Sequence, residues 1–129
     1  MRQRVFSGSP YESQIGFCRA IRVGDIVHVS GTAPLAPDGS TACPGDAYGQ
    51  TKRCLEIIEA AVRELGGTLS HIVRTRLYLT RLDAWPEVAR AHGELFGSIQ
   101  PAATALAVSG LIRSDWLVEI EAEAIITQD

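Results

Sequence analysis

Three glutamates follow a regular spacing near the end of the sequence. Glu119, Glu121 and Glu123 occupy every second position of the last predicted strand, so they share one face of it. A carboxylate held partly out of water can act as a general acid or base, because burial raises its pKa. Arg74 and Arg76 have the same spacing in an earlier segment. If the two strands are neighbours, these arginines compensate the repulsion among the carboxylates.

This charged face has two interpretations. On a solvated face, ion pairs between exposed side chains each contribute little to stability. At a subunit interface or in a cleft, the same charges orient and select a partner. Tyr78, Leu117 and Ile125 fall on that face by alternation, which favours an interface. The pattern alone leaves both interpretations open.

Other kinds of site find little support in the residue spacing. Three histidines are scattered along the chain, and no His, Cys or Asp cluster has metal-ligand spacing, so we expect no metal site. A nucleophile elbow is absent. The glycines form neither a P-loop nor a dinucleotide-binding pattern.

The composition is that of an ordinary globular protein. The chain has 129 residues, of which 46% are hydrophobic and 21% are charged, and we expect a single domain over residues 1–129. A formal charge of −3 and a pI near 5.6 argue against nucleic-acid binding. No apolar run is long enough to span a membrane, and the N-terminal segment lacks the apolar stretch of a signal peptide. The odd count of three cysteines argues against a disulfide framework, so we expect a cytoplasmic protein with reduced thiols.

Hydrophobic periodicity and turn residues predict a β-β-α-β-α-β-β order. Two helices are too few to cover both faces of such a sheet, so we expect an α+β fold with both helices on one face. Alternation places Val73, Thr75, Leu77 and Leu79 under the helices, as it does Val118, Ile120, Ala122 and Ala124. Asp46 and Asp83 are the expected helix N-caps. The predicted elements are strands 15–23, 26–32, 72–80, 103–109 and 116–126, and helices 47–65 and 83–96.

An ordered set of segments resembles the RidA/YjgF family of reactive-intermediate deaminases, also called the endoribonuclease L-PSP family. Residues 24–31, Gly-Asp-Ile-Val-His-Val-Ser-Gly, are similar to its segment of Gly-Asn/Asp, apolar residues and Ser-Gly. Gln50, the Val-Arg-Thr of 73–75 and the Pro-Ala of 101–102 follow in the family's order. Residues 118–122 match its closing Glu-Ile-Glu-Ala strand.

The resemblance implies a chorismate-mutase-like fold that assembles as a homotrimer, with small-molecule clefts between subunits. Well-known members hydrolyse enamines and imines such as 2-aminoacrylate to 2-keto acids and ammonia, with no metal or organic cofactor. By the same resemblance, Glu119 positions or activates the attacking water. Ser30 and Gly31 match the floor of the cleft, next to Thr32.

The sequence departs from the family at the substrate anchor. An arginine that grips the substrate carboxylate in the family is replaced by Ala103, within the sequence Pro-Ala-Ala-Thr of residues 101–104. Phe17 stands in place of a cleft tyrosine, and Ala89 in place of an asparagine found in some members. Either another arginine supplies the positive charge, or the substrate lacks that carboxylate. The candidate arginines are Arg19, Arg22, Arg74 and Arg76.

We therefore predict cofactor-free hydrolysis of a reactive enamine or imine that is not the usual 2-imino acid. The alternative is a trimeric small-molecule binding or regulatory protein that has kept the scaffold and lost the chemistry. Ribonuclease activity is disfavoured by the acidic pI of about 5.6. The predicted catalytic residue is Glu119, and the predicted substrate-binding residues are Phe17, Ser30, Thr32, Arg76, Ala103 and Thr104.

Overall fold

A computed structural model describes residues 1–127 of the chain. Short 3₁₀ turns lie at Leu69–His71 and Leu82–Ala84. The elements in chain order are β1 (Arg2–Val5), α1 (Pro10–Ile15), β2 (Ala20–Val23), β3 (Ile26–Thr32), α2 (Ala47–Glu64), β4 (Ile72–Leu79), α3 (Trp85–Phe96), β5 (Ala102–Ala107) and β6 (Val118–Ile125).

The strands form one six-stranded sheet in the order β1-β2-β3-β6-β4-β5. All neighbours are antiparallel except β4 and β5, which run parallel. Strand β6 therefore lies in the interior of the sheet between β3 and β4. This position brings the glutamates of β6 into register with residues of both neighbours.

Helices α2 and α3 pack against each other, and α2 also covers β3 and β6. Ile58 and Val62 of α2 are buried with Val88 of α3 and Ile120 of β6 in one hydrophobic core. The expected α+β architecture with two main helices is confirmed. Asp46 caps α2 as expected, accepting a hydrogen bond from the Gly49 N–H at 3.0 Å.

The N-terminal part of the chain differs from the sequence prediction. Residues 15–23 were expected to form one strand, but α1 ends at Ile15 and β2 begins only at Ala20. Gly16 ends α1 with a φ of 92°, a left-handed conformation that favours glycine. Strand β1 and helix α1 were not predicted, because each is too short to show a clear period.

Three further details of the prediction are wrong. Asp83 does not cap α3, since it lies in the preceding 3₁₀ turn and pairs with Arg81 at 3.2 Å. Val73 is 42% exposed, because a register shift between Ile72 and Arg74 turns it away from the core. Strand β6 begins at Val118 rather than at residue 116.

The charged pairing between β4 and β6 is confirmed. Arg76 Nη1 lies 3.0 Å from Glu123 Oε1, and Arg74 Nε lies 3.7 Å from the same oxygen. The Tyr78 hydroxyl donates to Glu121. These contacts use the two C-terminal carboxylates of the row and leave Glu119 without an arginine from β4.

None of the helices within residues 1–127 is both long and apolar enough to cross a membrane.

Candidate functional site

A cavity of about 530 Å³ opens beside Glu119. Its walls come from α1 and the segment after it, the end of β3, the loop that follows β3, one side of α2, and the residues around the start of β6. Phe17, Arg19, Gly31, Thr32 and Glu119 are among the residues that line it. Residues from four parts of the chain, within 7–19, 31–39, 53–57 and 112–119, thus surround one cavity that contains Glu119.

The close approach of Glu119 to β3 depends on a glycine. A Cβ atom built on Gly31 would overlap Glu119 Oε2, and no other heavy atoms near Gly31 are as close. The register between β3 and β6 shifts between Val29 and Thr32, and such irregularities re-aim side chains at functional sites. Gly31 therefore makes room for the carboxylate at the wall of the cavity.

Burial raises the pKa of Glu119 above its ordinary value. Desolvation is the largest cause, and the nearby charge of Glu121 acts in the same direction. The guanidinium of Arg19 opposes both. A carboxylate with a raised pKa is a stronger base, so Glu119 has the property expected of a group that accepts a proton from water.

A buried ion pair lies next to Gly31. Arg19 Nε is 3.1 Å from Glu12 Oε2, and the two side chains are only 5% and 3% exposed. Arg19 Nη1 also donates to the Gly31 carbonyl at 2.7 Å and to Thr32 Oγ1 at 3.0 Å. Glu12 in turn accepts from the Ser7 N–H at 3.0 Å. The pair therefore ties α1 to the part of β3 that faces Glu119.

Gly31→Ala should reduce activity much more than stability. The new methyl group would displace the end of the flexible Glu119 side chain, which is cheap in packing but moves the carboxylate that is predicted to be catalytic. Misplacement of a catalytic group by about 1 Å can cost about 10²-fold in rate. The measurement is the rate of the predicted imine hydrolysis together with Tm. The matched control is Gly110→Ala, since a Cβ there would meet nothing within 4 Å; equal activity in the two variants would contradict the prediction.

A second cavity, of about 600 Å³, lies between β5 and α3. Ala103 and Thr104 line it together with Ala89 and His92. His92 Nε2 is 2.9 Å from Thr75 Oγ1, and burial lowers the pKa of the imidazole. Within one chain, this cavity is separate from the one that contains Glu119.

The sequence pattern of one protein family, described as Endoribonuclease L-PSP, matches residues 9–126. This chain belongs to that family. An uncharacterized protein of Streptomyces coelicolor is 42% identical over 95% of this chain and 90% of its own length. The 3-aminoacrylate deaminase RutC of Acinetobacter baylyi is 31% identical over 81% of this chain and 82% of its own. A Mycobacterium tuberculosis structure from the YjgF/YER057c/UK114 family is 40% identical, with a TM-score of 0.89 over 98% of this chain and 100% of that chain. The RidA/YjgF resemblance is thereby confirmed.

In this member of the endoribonuclease L-PSP family, only some of the predicted site residues lie together. Phe17, Thr32 and Glu119 line the same cavity. The hydroxyl of Ser30 donates instead to the Cys18 carbonyl at 2.8 Å, and Arg76 pairs with Glu123. Ala103 and Thr104 line the second cavity.

Four arginines were considered as replacements for the missing anchor of the substrate carboxylate. Among the described residues, Arg19 is the only one of these four that lines the cavity of Glu119. Arg22 donates to the carbonyls of Gly24 and Leu65. Arg74 and Arg76 both contact Glu123.

Two residues of the site were not predicted from the sequence. Trp116, the residue two positions before β6, is 3% exposed and lines the cavity of Glu119. Arg53 of α2 lines the same cavity. The helical spacing of α2 gave no signal for Arg53, because a charged residue on an amphipathic helix usually faces solvent. Among residues 1–127, no group of three or more His, Cys, Asp or Glu side chains is placed to hold a metal ion.

Proposed function

We propose that this protein hydrolyses a reactive enamine or imine, other than the usual 2-imino acid, to a carbonyl compound and ammonia without a cofactor. The observation that carries the proposal is a half-buried Glu119 with a raised pKa, held against Gly31 in the wall of a cavity. The relative named as a 3-aminoacrylate deaminase supports this class of reaction.

In the proposed reaction, Glu119 accepts a proton from a water molecule as the water oxygen bonds to the imine carbon. Glu119 passes this proton to the imine nitrogen, which becomes an amine on a tetrahedral carbon. In the collapse of this carbinolamine, Glu119 takes the hydroxyl proton as the carbonyl forms and transfers it to the departing nitrogen. The carbon–nitrogen bond breaks, its electron pair leaves with ammonia, and the carboxylate is regenerated. General base catalysis of this kind contributes about 10²–10⁴-fold.

In this proposal, Phe17 and Thr32 contact the substrate beside Glu119, since they line its cavity. Ser30 does not contact the substrate in this proposal, and its hydrogen bond to the Cys18 carbonyl holds β3 against the segment before β2. Ala103, Thr104 and Arg76 lie outside this cavity within one chain, and they would reach a substrate only across a subunit boundary.

We propose that this boundary is the interface of a homotrimer. All six residues of β5 are exposed, including Leu106 at 52%, although an uncovered apolar edge strand invites pairing with another chain. Sedimentation equilibrium should give about three times the 13.9 kDa of one chain. A monomer would contradict the intersubunit cleft.

A second candidate function is a non-catalytic small-molecule binding or regulatory protein on the same scaffold. Ala103 favours it, because alanine cannot replace the directional contact that an arginine makes with a carboxylate. The two functions differ in turnover. An enzyme converts many equivalents of imine, whereas a binding protein sequesters at most one per site.

The test generates 2-aminocrotonate or 2-aminoacrylate in place with an amino-acid dehydratase, and follows keto-acid release while semicarbazide traps the remaining imine. A parallel reaction supplies carboxylate-free imines from simple amines with an amine oxidase. Acceleration through many turnovers by substoichiometric protein would support the enzyme. Loss of free imine limited to one equivalent per chain would support the binding protein. No effect on any imine would overturn the proposed function.

A further inference from the structure

We propose that the cavity beside Glu119 selects an imine with a bulky apolar substituent and no carboxylate group. This inference rests on the proposed imine hydrolysis and adds the class of substrate. It follows from three properties of the cavity, which are its size, its lining and the state of its charged groups.

The cavity is larger than a small imino acid requires. Within one chain its volume is about 530 Å³, in the range of about 300–1,000 Å³ typical of sites for drug-sized ligands. A three- or four-carbon imine would fill only a small part of it and would leave apolar walls in contact with water. A substrate with a phenyl group or a branched chain of similar size fills the space and gains the free energy of apolar burial.

The lining of the cavity is mainly apolar. Ile15 and Ile112 lie at the cavity with exposures of 69% and 75%, so a bound apolar group would remove them from water. Phe17, Ile57 and Trp116 add further apolar surface to the lining. Sites with such walls hold the apolar body of a ligand and fix its orientation with a few polar groups.

The charged groups of the cavity do not favour a substrate carboxylate. The charge of Arg19 is balanced by Glu12 at 3.1 Å. Arg53 donates to the Leu35 carbonyl at 2.7 Å and lies 3.4 Å from Glu56. Glu119 is itself negative when it acts as a base, so a carboxylate close to the reacting carbon would be repelled in a site of low dielectric.

The experiment compares imines that differ in one feature at a time. An amine oxidase acting on 2-phenylethylamine with oxygen gives an imine with a phenyl group and no carboxylate. An amino-acid oxidase gives the imines of phenylalanine, with phenyl and carboxylate, and of alanine, with carboxylate only. Catalase removes the peroxide, and semicarbazide trapping reports the lifetime of each imine. We expect the 2-phenylethylamine imine to be accelerated at least tenfold more than either imino acid.

A cavity-filling variant provides a second readout. Ile57→Trp should remove most of the acceleration for the phenyl imine, because the larger side chain occupies the space that the phenyl group needs. Ala60→Trp is the control, since residue 60 is exposed on the same helix and does not line the cavity. Circular dichroism and Tm show whether each variant folds.

The outcomes separate this inference from the function on which it rests. If the alanine imine is hydrolysed as fast as the phenyl imine or faster, the substrate class is wrong while imine hydrolysis stands. If the phenylalanine imine is preferred, the site recognises a carboxylate, and the inference that the substrate has no carboxylate is wrong. If Ile57→Trp and Ala60→Trp behave alike, the phenyl group does not occupy this cavity. If wild type accelerates none of the imines, the proposed function itself fails.

Discussion

Replacing Glu119 with glutamine should slow imine hydrolysis by about 10²–10⁴-fold, the range for loss of a general base. Glutamine keeps the size of the side chain and its fit against Gly31, but it cannot take a proton from water. The measurement is the turnover rate on the best imine substrate. Glu123→Gln is the matched control, because Glu123 is on the same strand and is bound to Arg74 and Arg76 instead of lining the cavity.

The same substitution should raise the stability of the protein at neutral pH. The folded state holds a proton on Glu119 more tightly than the unfolded state does, since burial raises its pKa. The unfolded chain therefore releases this proton more readily, and stability decreases as the pH rises from the ordinary glutamate pKa to the raised one. Glutamine has no carboxyl group to deprotonate, so the Glu119→Gln variant does not lose this stability. Its Tm should therefore exceed the Tm of wild type at pH 7, and the two Tm values should converge at acidic pH.

The raised pKa also fixes the pH dependence of the rate. The base form of Glu119 disappears as the pH falls through its pKa in the folded protein, so activity should decline at a higher pH than an exposed glutamate would give. Two results would show that another group accepts the proton from water. One is full activity in Glu119→Gln, and the other is a decline of wild-type activity at the pH expected for an exposed glutamate.

The sequence was sufficient for the part of the fold that obeys simple periodicity. The alternation of β6 predicted buried Ile120 and half-exposed Glu119, and the structure confirms both. Hydrophobic periodicity predicted a helix over residues 47–65, and α2 spans Ala47–Glu64 with Cys54 and Ile58 buried. These elements are long, and each presents one continuous apolar face, so a period is readable without knowledge of tertiary contacts.

The site could be predicted only in part, because its walls are built from short or irregular segments. Helix α1 has six residues and too few turns for an apolar stripe. Trp116 precedes β6 and is buried by contacts with Tyr11, whose ring lies 5.8 Å away across the fold. The Glu12–Arg19 pair joins a helix to the segment before a strand, and no local pattern in the sequence indicates such a contact. Family resemblance predicted Glu119 as the catalytic residue, but the cavity around it depends on tertiary packing.

Removing one member of the Glu12–Arg19 pair should be the most destabilising of the changes considered. Arg19→Met leaves the Glu12 carboxylate buried at 3% exposure without its cation, and the loss of one partner from a buried ion pair costs about 3–5 kcal/mol. It also removes the bonds to the Gly31 carbonyl and Thr32 Oγ1. The free energy of unfolding in urea at pH 7 measures the effect.

The double variant Glu12→Leu/Arg19→Met distinguishes a charge effect from a packing effect. Because both charges are gone, no uncompensated ion remains, and apolar replacements of a buried pair are often close to neutral. We expect the double variant to be more stable than Arg19→Met, with a coupling energy of about 0.5–3 kcal/mol in the cycle completed by Glu12→Leu. Additive losses would mean that the contacts of Arg19 with β3, rather than its pairing with Glu12, hold this wall in place. In both Arg19 variants the pKa of Glu119 should rise further, since the cation that opposes its desolvation is absent, and the acid limb of the pH profile should move to higher pH.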